Sequence, residues 1–175
     1  MNGRTLTKEE IEFLIESNAI EGEYRNIALG DAKDAWNYAT SLKFKSPYNM
    51  SINQMLKIHK ILMKRISPNI AGKLRKQPVF VGSNSKGIRE CIDYKKILSE
   101  LMMLFNAGLN PYYLGEEQIK NFHIKFEEIH PFLDGNGRTG RIIMNIQRLK
   151  LGLPLLIIHT GKEQQEYYKW FEELK

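Results

Sequence analysis

The chain has 175 residues, 42% hydrophobic and 26% charged, which is enough to bury one core. No apolar run nears the roughly 20 residues of a membrane span, the polar stretch Met1–Glu10 is no secretory signal, and the lone Cys91 excludes an internal disulfide and a cysteine-rich metal site; a cytoplasmic setting is expected, with no membrane partner. The net charge of +6 is scattered among acidic residues, with Lys73, Arg75 and Lys76 the one notable cluster, so a solvated basic surface is expected and a nucleic-acid partner is not.

No repeat, low-complexity stretch or Pro/Gly/Ser-rich linker divides the sequence, which reads as a single domain over residues 1–175, mainly helical. Thr7-Lys8-Glu9-Glu10 is a capping box that opens a first helix carrying Ile11, Phe13, Leu14 and Ile15 and ending near Gly22. A second helix is expected from about Tyr24 to Lys43, on the narrow face Ala28, Ala32, Ala35, Trp36 and Ala39. Ser51-Ile52-Asn53-Gln54 is another capping box, and its helix carries Ile52, Met55, Ile58/His59, Leu62 and Ile66.

Residues 77–90 break the helical pattern. Val79-Phe80-Val81 is β-prone, Gly82 to Gly87 is turn chemistry, and Ile88 begins a return strand, so a β-hairpin is expected. Helices resume at about Asp93–Ala107 and Glu116–Ile129, the latter with Ile119, Phe122, Phe126 and Ile129 on one face. Another runs from about Gly137 to Leu151 and is stopped by Gly152 and Pro154. A last helix, about Lys162–Leu174, carries Tyr167, Tyr168, Trp170 and Phe171.

The loop between the fifth and sixth helices carries the chemistry. Gly135-Asn136-Gly137 has too little side chain to pack, so its amides can approach a ligand. It runs into a helix N-terminus, where unpaired N–H groups and the positive dipole end favour phosphate. Arg138 and Arg141 add charge with forked donors. Asp134 is a hard oxygen ligand suited to Mg²⁺ when phosphates supply the other oxygens. His130, just before the loop, can take a proton near neutral pH. Each residue alone has a structural reading as a turn, a bend or a solvated charge. Their crowding within twelve residues is what points to a site. No Gly-Lys-Ser/Thr follows, so this is not a P-loop. The four histidines lack zinc-ligand spacing.

The run His130-Pro131-Phe132-Leu133-Asp134-Gly135-Asn136-Gly137-Arg138-Thr139-Gly140-Arg141 resembles the signature of Fic-domain proteins at every defined position. The resemblance extends over most of the chain and implies a Fic-type helical bundle with a small β-hairpin flap. It implies a protein adenylyltransferase that moves AMP from ATP to a Tyr, Thr or Ser hydroxyl of an unidentified protein target. By the same resemblance His130 (in the loop 130–141) is the general base and Asp134 holds Mg²⁺. Gly135, Asn136 and Gly137 form the anion hole, with Asn136 reaching phosphate oxygens, Arg138 shapes it, Arg141 holds the γ-phosphate, and Phe132 anchors the loop. The hairpin at Val79, Phe80 and Val81 is the flap that pairs with target backbone. The intact Gly-Asn-Gly-Arg favours AMP transfer over phosphate transfer.

Ser17-Asn18-Ala19-Ile20-Glu21-Gly22 resembles the inhibitory motif of the family's subgroup with an N-terminal inhibitory helix, here residues 8–22. Ser17 and Glu21 are i, i+4 neighbours and Gly22 ends the helix. The resemblance pairs Glu21 with Arg141 and so restrains the enzyme. Tyr167 and Tyr168 lie where family members contact adenine, although the packing tendency of aromatic residues favours a core role. Lys73 and Arg75 read as solvated surface and Cys91 as a small buried residue. The alternatives are an AMP-removing hydrolase, a catalytically silent nucleotide-binding module and, more distantly, a nucleic-acid binder. A homo-oligomer is left open.

Overall fold

The computed structural model describes residues 4–43, 50–83, 87–107 and 115–172. The first helix, α1, spans Lys8–Ala19. Its Thr7 capping box is formed: Thr7 Oγ1 accepts from Glu10 N at 3.2 Å and Thr7 N donates to the Glu10 carboxylate at 2.9 Å. The Glu10 carboxylate also accepts from Arg4 and, at 2.9 Å, from Trp36 Nε1 of α2 (Asn26–Ser41). One cap thereby fixes the packing of two helices. Helix α3, Ile52–Met63, starts at the Ser51 capping box, with Ser51 Oγ accepting from Gln54 N at 3.2 Å. Asp31 of α2, fully buried, accepts from Arg65 N at 2.9 Å and ties α2 to the end of α3.

Strands β1 (Phe80–Ser83) and β2 (Gly87–Glu90) form the expected antiparallel hairpin, with Phe80 opposite Glu90 and Val81 opposite Arg89. Residues 84–86 of its turn lie outside the described residues. A 3₁₀ turn at Tyr94–Lys96 leads into α4 (Ile97–Ala107). Helices α5 (Glu116–Ile129) and α6 (Asn136–Lys150) pack together, with the loop between them at one end. Helix α7, Lys162–Lys169, is shorter than its pattern suggested, and the last two residues of the expected helix lie outside the described residues.

The main core joins Phe13 and Leu14 of α1, Trp36 of α2, Met55, Ile58 and Leu62 of α3, and Phe122, Phe126 and Ile129 of α5 with Phe132 and with Ile142, Ile143 and Ile146 of α6. Helix α6 is buried along nearly its whole length, polar side chains included. Those side chains need partners inside. Asn145 exchanges two bonds with the Leu156 backbone, at 2.7 and 3.1 Å, and Arg148 pairs with Glu116. Helix α6 also packs against α1, α2 and α3, and the loop before it lies against His59 and Met63 of α3.

Candidate active site

The site starts at the end of α5. His130 caps that helix in the left-handed region (φ 48°), the one non-glycine residue with positive φ among the described residues. Histidine tolerates this conformation better than branched residues do. The turn is held from outside. Arg75, only 2% exposed, donates from Nε to the His130 carbonyl at 2.8 Å, from Nη1 to the Gln77 carbonyl at 2.9 Å and from Nη2 to the Ile92 carbonyl at 2.6 Å. Its own N–H donates to the Pro131 carbonyl at 2.9 Å. Arg75 thus corrects the reading of it as solvated surface: it joins the base of the hairpin to the start of the loop. Lys73 is exposed, as expected, and bonds the Asn69 carbonyl.

The rest of the loop is fixed from α3 and from within. The His59 ring stacks on Phe132 at 3.6 Å between centroids and 5° between planes. Its Nδ1 accepts from Gly72 N at 2.9 Å, so Nε2 carries the proton and donates to the Asp134 carbonyl at 2.9 Å. Burial pushes His59 down to about 4, which keeps that tautomer uncharged at neutral pH. Gly135 (φ 79°) lies against Met63 and His59, where a Cβ would meet Met63 Sδ at 2.8 Å. The Asn136 amide, expected to reach phosphate oxygens, instead spends both ends on Phe132, accepting from its N–H and donating to its carbonyl at 2.9 Å each. Asn136 therefore shapes the loop. Phe132 is fully buried.

Asp134 points outward, its side chain 57% exposed, and Arg138 approaches it only loosely at 3.4 Å. Arg138 is itself buried, and its Nε and Nη1 find no partner among the described residues. A buried guanidinium with two unused N–H groups in the first turn of a helix is a prepared anion site. Among the described residues there is no cluster of three metal-ligating side chains. Asp134 therefore offers a single carboxylate, which fits a hard cation whose other ligands are phosphate oxygens and water.

Arg141, 2% exposed, is fully engaged. Nη2 donates to Glu21 Oε1 at 2.7 Å and to the Ser17 carbonyl at 2.8 Å, Nε to Ser17 Oγ at 3.0 Å, and Nη1 to Tyr167 Oη at 3.3 Å. Burial works against its charge, yet Tyr167 and Glu21 hold it firmly protonated. Gly22 (φ 67°) ends the α1 segment and turns the chain so that Glu21 faces α6. A Cβ on Gly137 would collide with the Glu21 carboxylate and would stand 2.9 Å from Arg141 Nη1. Tyr167, placed by resemblance among the nucleotide contacts, is buried in a second core cluster with Ile20, Ile119, Met144 and Ile158, and its hydroxyl faces His123 and Arg141. It has no open face for a base to stack on. Tyr168 is 41% exposed and accepts from Gln164 Nε2 at 2.9 Å.

The His130 ring is neutral at physiological pH. Burial pushes it down to about 4, the Glu127 carbonyl that accepts from the ring opposes this, and the charges of Arg75 and Arg89 add to it. Phe80 is 61% exposed on the hairpin, with Val79 and Val81 half-buried, and Cys91 N extends the ladder to the Val79 carbonyl at 2.9 Å. Cys91 is buried, as expected.

The Fic/DOC family profile matches residues 49–147. The curated proteins named Protein adenylyltransferase Fic from Drosophila erecta and Nematostella vectensis are each 28% identical to this chain over 99% of its length. The chain covers 35% of the first and 40% of the second, so it spans well under half of the curated relatives it matches. Among solved structures, Fic-1 from C. elegans superposes with a TM-score of 0.74 at 20% identity, over 95% of this chain and 56% of that one. A Fic domain containing signaling protein from Bacteroides thetaiotaomicron gives 0.75 at 17% identity, over 93% of this chain and 70% of that one. At such identities the structural likeness establishes the fold, a mainly α Fic-type bundle with one small hairpin. With the profile matched over more than half of its length, on both sides of the His130–Arg141 loop, the chain belongs to the Fic/DOC family.

Proposed function

We propose that this chain, as one Fic domain, is a protein adenylyltransferase that moves AMP from ATP to a Ser, Thr or Tyr hydroxyl of a protein target, and that Glu21 restrains it. The observation that carries the reading is the pair of unused, buried N–H groups on Arg138, beside a neutral His130 and an exposed Asp134. His130 accepts the hydroxyl proton. The oxygen forms a bond to the α-phosphorus, the bond from the α-phosphorus to the bridging oxygen breaks, and pyrophosphate leaves with that oxygen. The N–H groups of the α6 N-terminus and of Arg138 offset phosphate charge, and Arg141 holds the γ-phosphate once Glu21 has left it. Mg²⁺, held by Asp134, would supply further neutralisation of the phosphates. The unpaired edge of the hairpin is suited to take a target strand. Cytoplasmic location belongs to the same proposal.

The test is intact mass after incubation with Mg²⁺-ATP of wild type, Glu21→Gly, and Glu21→Gly combined with His130→Ala. An AMP increment on Glu21→Gly alone is expected. An equal increment on wild type and Glu21→Gly would overturn the restraint, and an increment on the His130→Ala double variant would overturn the base. A second reading, removal of AMP, is favoured by the Glu21 carboxylate lying against Gly137 of the candidate phosphate loop, where it can order a water. Wild type should then strip AMP from the modified Glu21→Gly chain.

A further inference from the structure

Helix α5 and its cap carry His123, Glu127 and His130 at spacings of four and three, which puts them on one stripe. Glu127 Oε2 stands 3.8 Å from His130 Nδ1, with the Glu127 side chain 13% exposed. Its other oxygen, Oε1, is fully shielded and has no partner among the described residues. Nδ1 of His123 is shielded likewise and faces the Gly140 backbone. Both atoms press on α6 at Gly140, where a Cβ would lie 2.8 Å from Glu127 Oε1 and 2.9 Å from His123 Nδ1. Any side chain at 140 would evict one of them. His123 Nε2 meets Tyr167 Oη at 2.8 Å, Tyr167 Oη accepts from Arg141, and Arg141 holds Glu21.

The mechanism above leaves Glu127 unused. A carboxyl in a packed interior with an unsatisfied oxygen is costly, and packing alone would be served better by an apolar side chain. Its place beside the base gives it a task. When His130 takes the hydroxyl proton, its ring becomes a cation in surroundings that already hold Arg75 and Arg89. Resting on the transfer reading above, we infer that Glu127 is a positioning residue for His130: its carboxyl stands beside the imidazole and, once ionised, balances the charge the ring acquires on accepting the target's proton. No bond to Glu127 forms. The proton stays on His130 until the site reopens.

The groups facing Glu127 are His123 and His130 from α5, Arg141 from α6, Glu21 beyond α1, and Arg89 and Cys91 from the hairpin side. Burial pushes Glu127 up to about 8, Arg141 and Arg89 oppose this, and Glu21 adds to it. Burial meanwhile holds His130 at about 4, so at neutral pH Glu127 still carries its own proton, and the ionised carboxyl that balances a protonated His130 is reached as pH rises through about 8.

The experiment uses the full chain without nucleotide. The Glu127 carboxyl carbon and the His130 ring carbons are followed by NMR across pH 4–10, with Glu127→Gln and His130→Ala for assignment. The expected result is a Glu127 midpoint near 8, accompanied by a His130 ring shift that is lost in Glu127→Gln. A Glu127 midpoint that no His130 ring shift accompanies, or a His130 ring that titrates identically in wild type and Glu127→Gln, overturns the assignment. The wild-type midpoint stands even if the variant fails to fold. In the Glu21→Gly background the rate of AMP incorporation should rise as pH rises through about 8, and above that pH Glu127→Gln should lower it roughly tenfold, the equivalent of one pKa unit, with KM for ATP unchanged and Glu127→Asp restoring part. An unchanged rate and pH profile also overturns it. A Glu21→Gly chain that incorporates no AMP counts against the transferase reading and leaves the NMR titration to decide Glu127.

Discussion

At the scale of single residues, the site divides into groups that face a ligand and groups that hold them. Arg75 belongs to the second kind. It is a buried cation bonded only to carbonyls, those of His130, Gln77 and Ile92 among them. Lysine cannot fork among these acceptors. Arg75→Lys should therefore lower stability by about 2 kcal/mol, because several buried carbonyls lose their donor, and AMP incorporation should fall with it; urea unfolding and intact mass read the two effects. Arg141→Ala should abolish transfer in both the wild-type and Glu21→Gly backgrounds, since the γ-phosphate loses its holder whether or not the restraint is present; rescue by Glu21→Gly would contradict the proposed role. The ligand-facing residues were legible in the sequence because their chemistry is local. Glycines, arginines, an aspartate and a histidine crowd into twelve positions, and few structural needs demand that mixture. Arg75, His59 and Glu127 were not legible. Arg75 meets carbonyls about 55 positions away and His59 one 75 positions away. No periodicity or spacing marks such contacts. Tyr167 was half legible: an aromatic cluster signals packing, but the sequence does not show that its hydroxyl ends against Arg141.

At the scale of elements, the stop and start signals were the most reliable. Both capping boxes formed where Thr7 and Ser51 placed them, and Gly152 ended α6. Helix α2 was harder to place at its start because Arg25 gives no side-chain cap. The capping boxes also set consequences. Thr7→Ala should cost about 1 kcal/mol by removing the acceptor for Glu10 N, readable as a lowered Tm. Helix α1 is held at its far end as well. Glu12 meets His159 at 3.1 Å, Thr160 N donates to Glu16 at 3.1 Å, and Gln164 Nε2 donates to the Ile20 carbonyl at 3.4 Å. His159 is pulled up to about 9 by hydrogen bonds to Glu12 and Glu163, so it is a cation at neutral pH. His159→Ala should loosen the Glu21 turn and raise AMP incorporation roughly two- to fivefold, the scale of an exposed ion pair; the same rate as wild type would show that the Glu21–Arg141 contact needs no help from this strap.

At the scale of the whole molecule, the buried histidines govern the response to acid. Burial holds His59 and His130 at about 4 and His123 at about 3 in the folded chain, against 6.5 when unfolded. Between these values the unfolded chain binds protons that the folded chain refuses, so stability falls as pH drops from about 6.5 toward 4. Glu10 continues the trend. Burial raises it, yet hydrogen bonds from Arg4, Thr7 and Trp36 bring it down to about 2, so its contribution is present above about 4.5 and is lost as pH falls toward 2. Glu127 at about 8 and His159 at about 9 act the other way above about 6.5, so Tm should decline from about pH 6 to pH 4, and His59→Gln, which keeps a neutral polar group there, should flatten the upper part of that slope.

Glu21 rides on a helix whose Phe13 and Leu14 are nearly fully buried in the main core. A shortened chain lacking α1 is thus not simply an unlocked enzyme. It would open a hole beside Trp36 and strand Arg141 as an unpaired interior cation, a loss of several kcal/mol. Unlocking compatible with a folded protein has to come from the short stretch around Ile20 to Glu23, by a swing of one carboxylate. The catalytic history of such a chain would then be written in the rotamers of that turn, while the helix that carries it stays put.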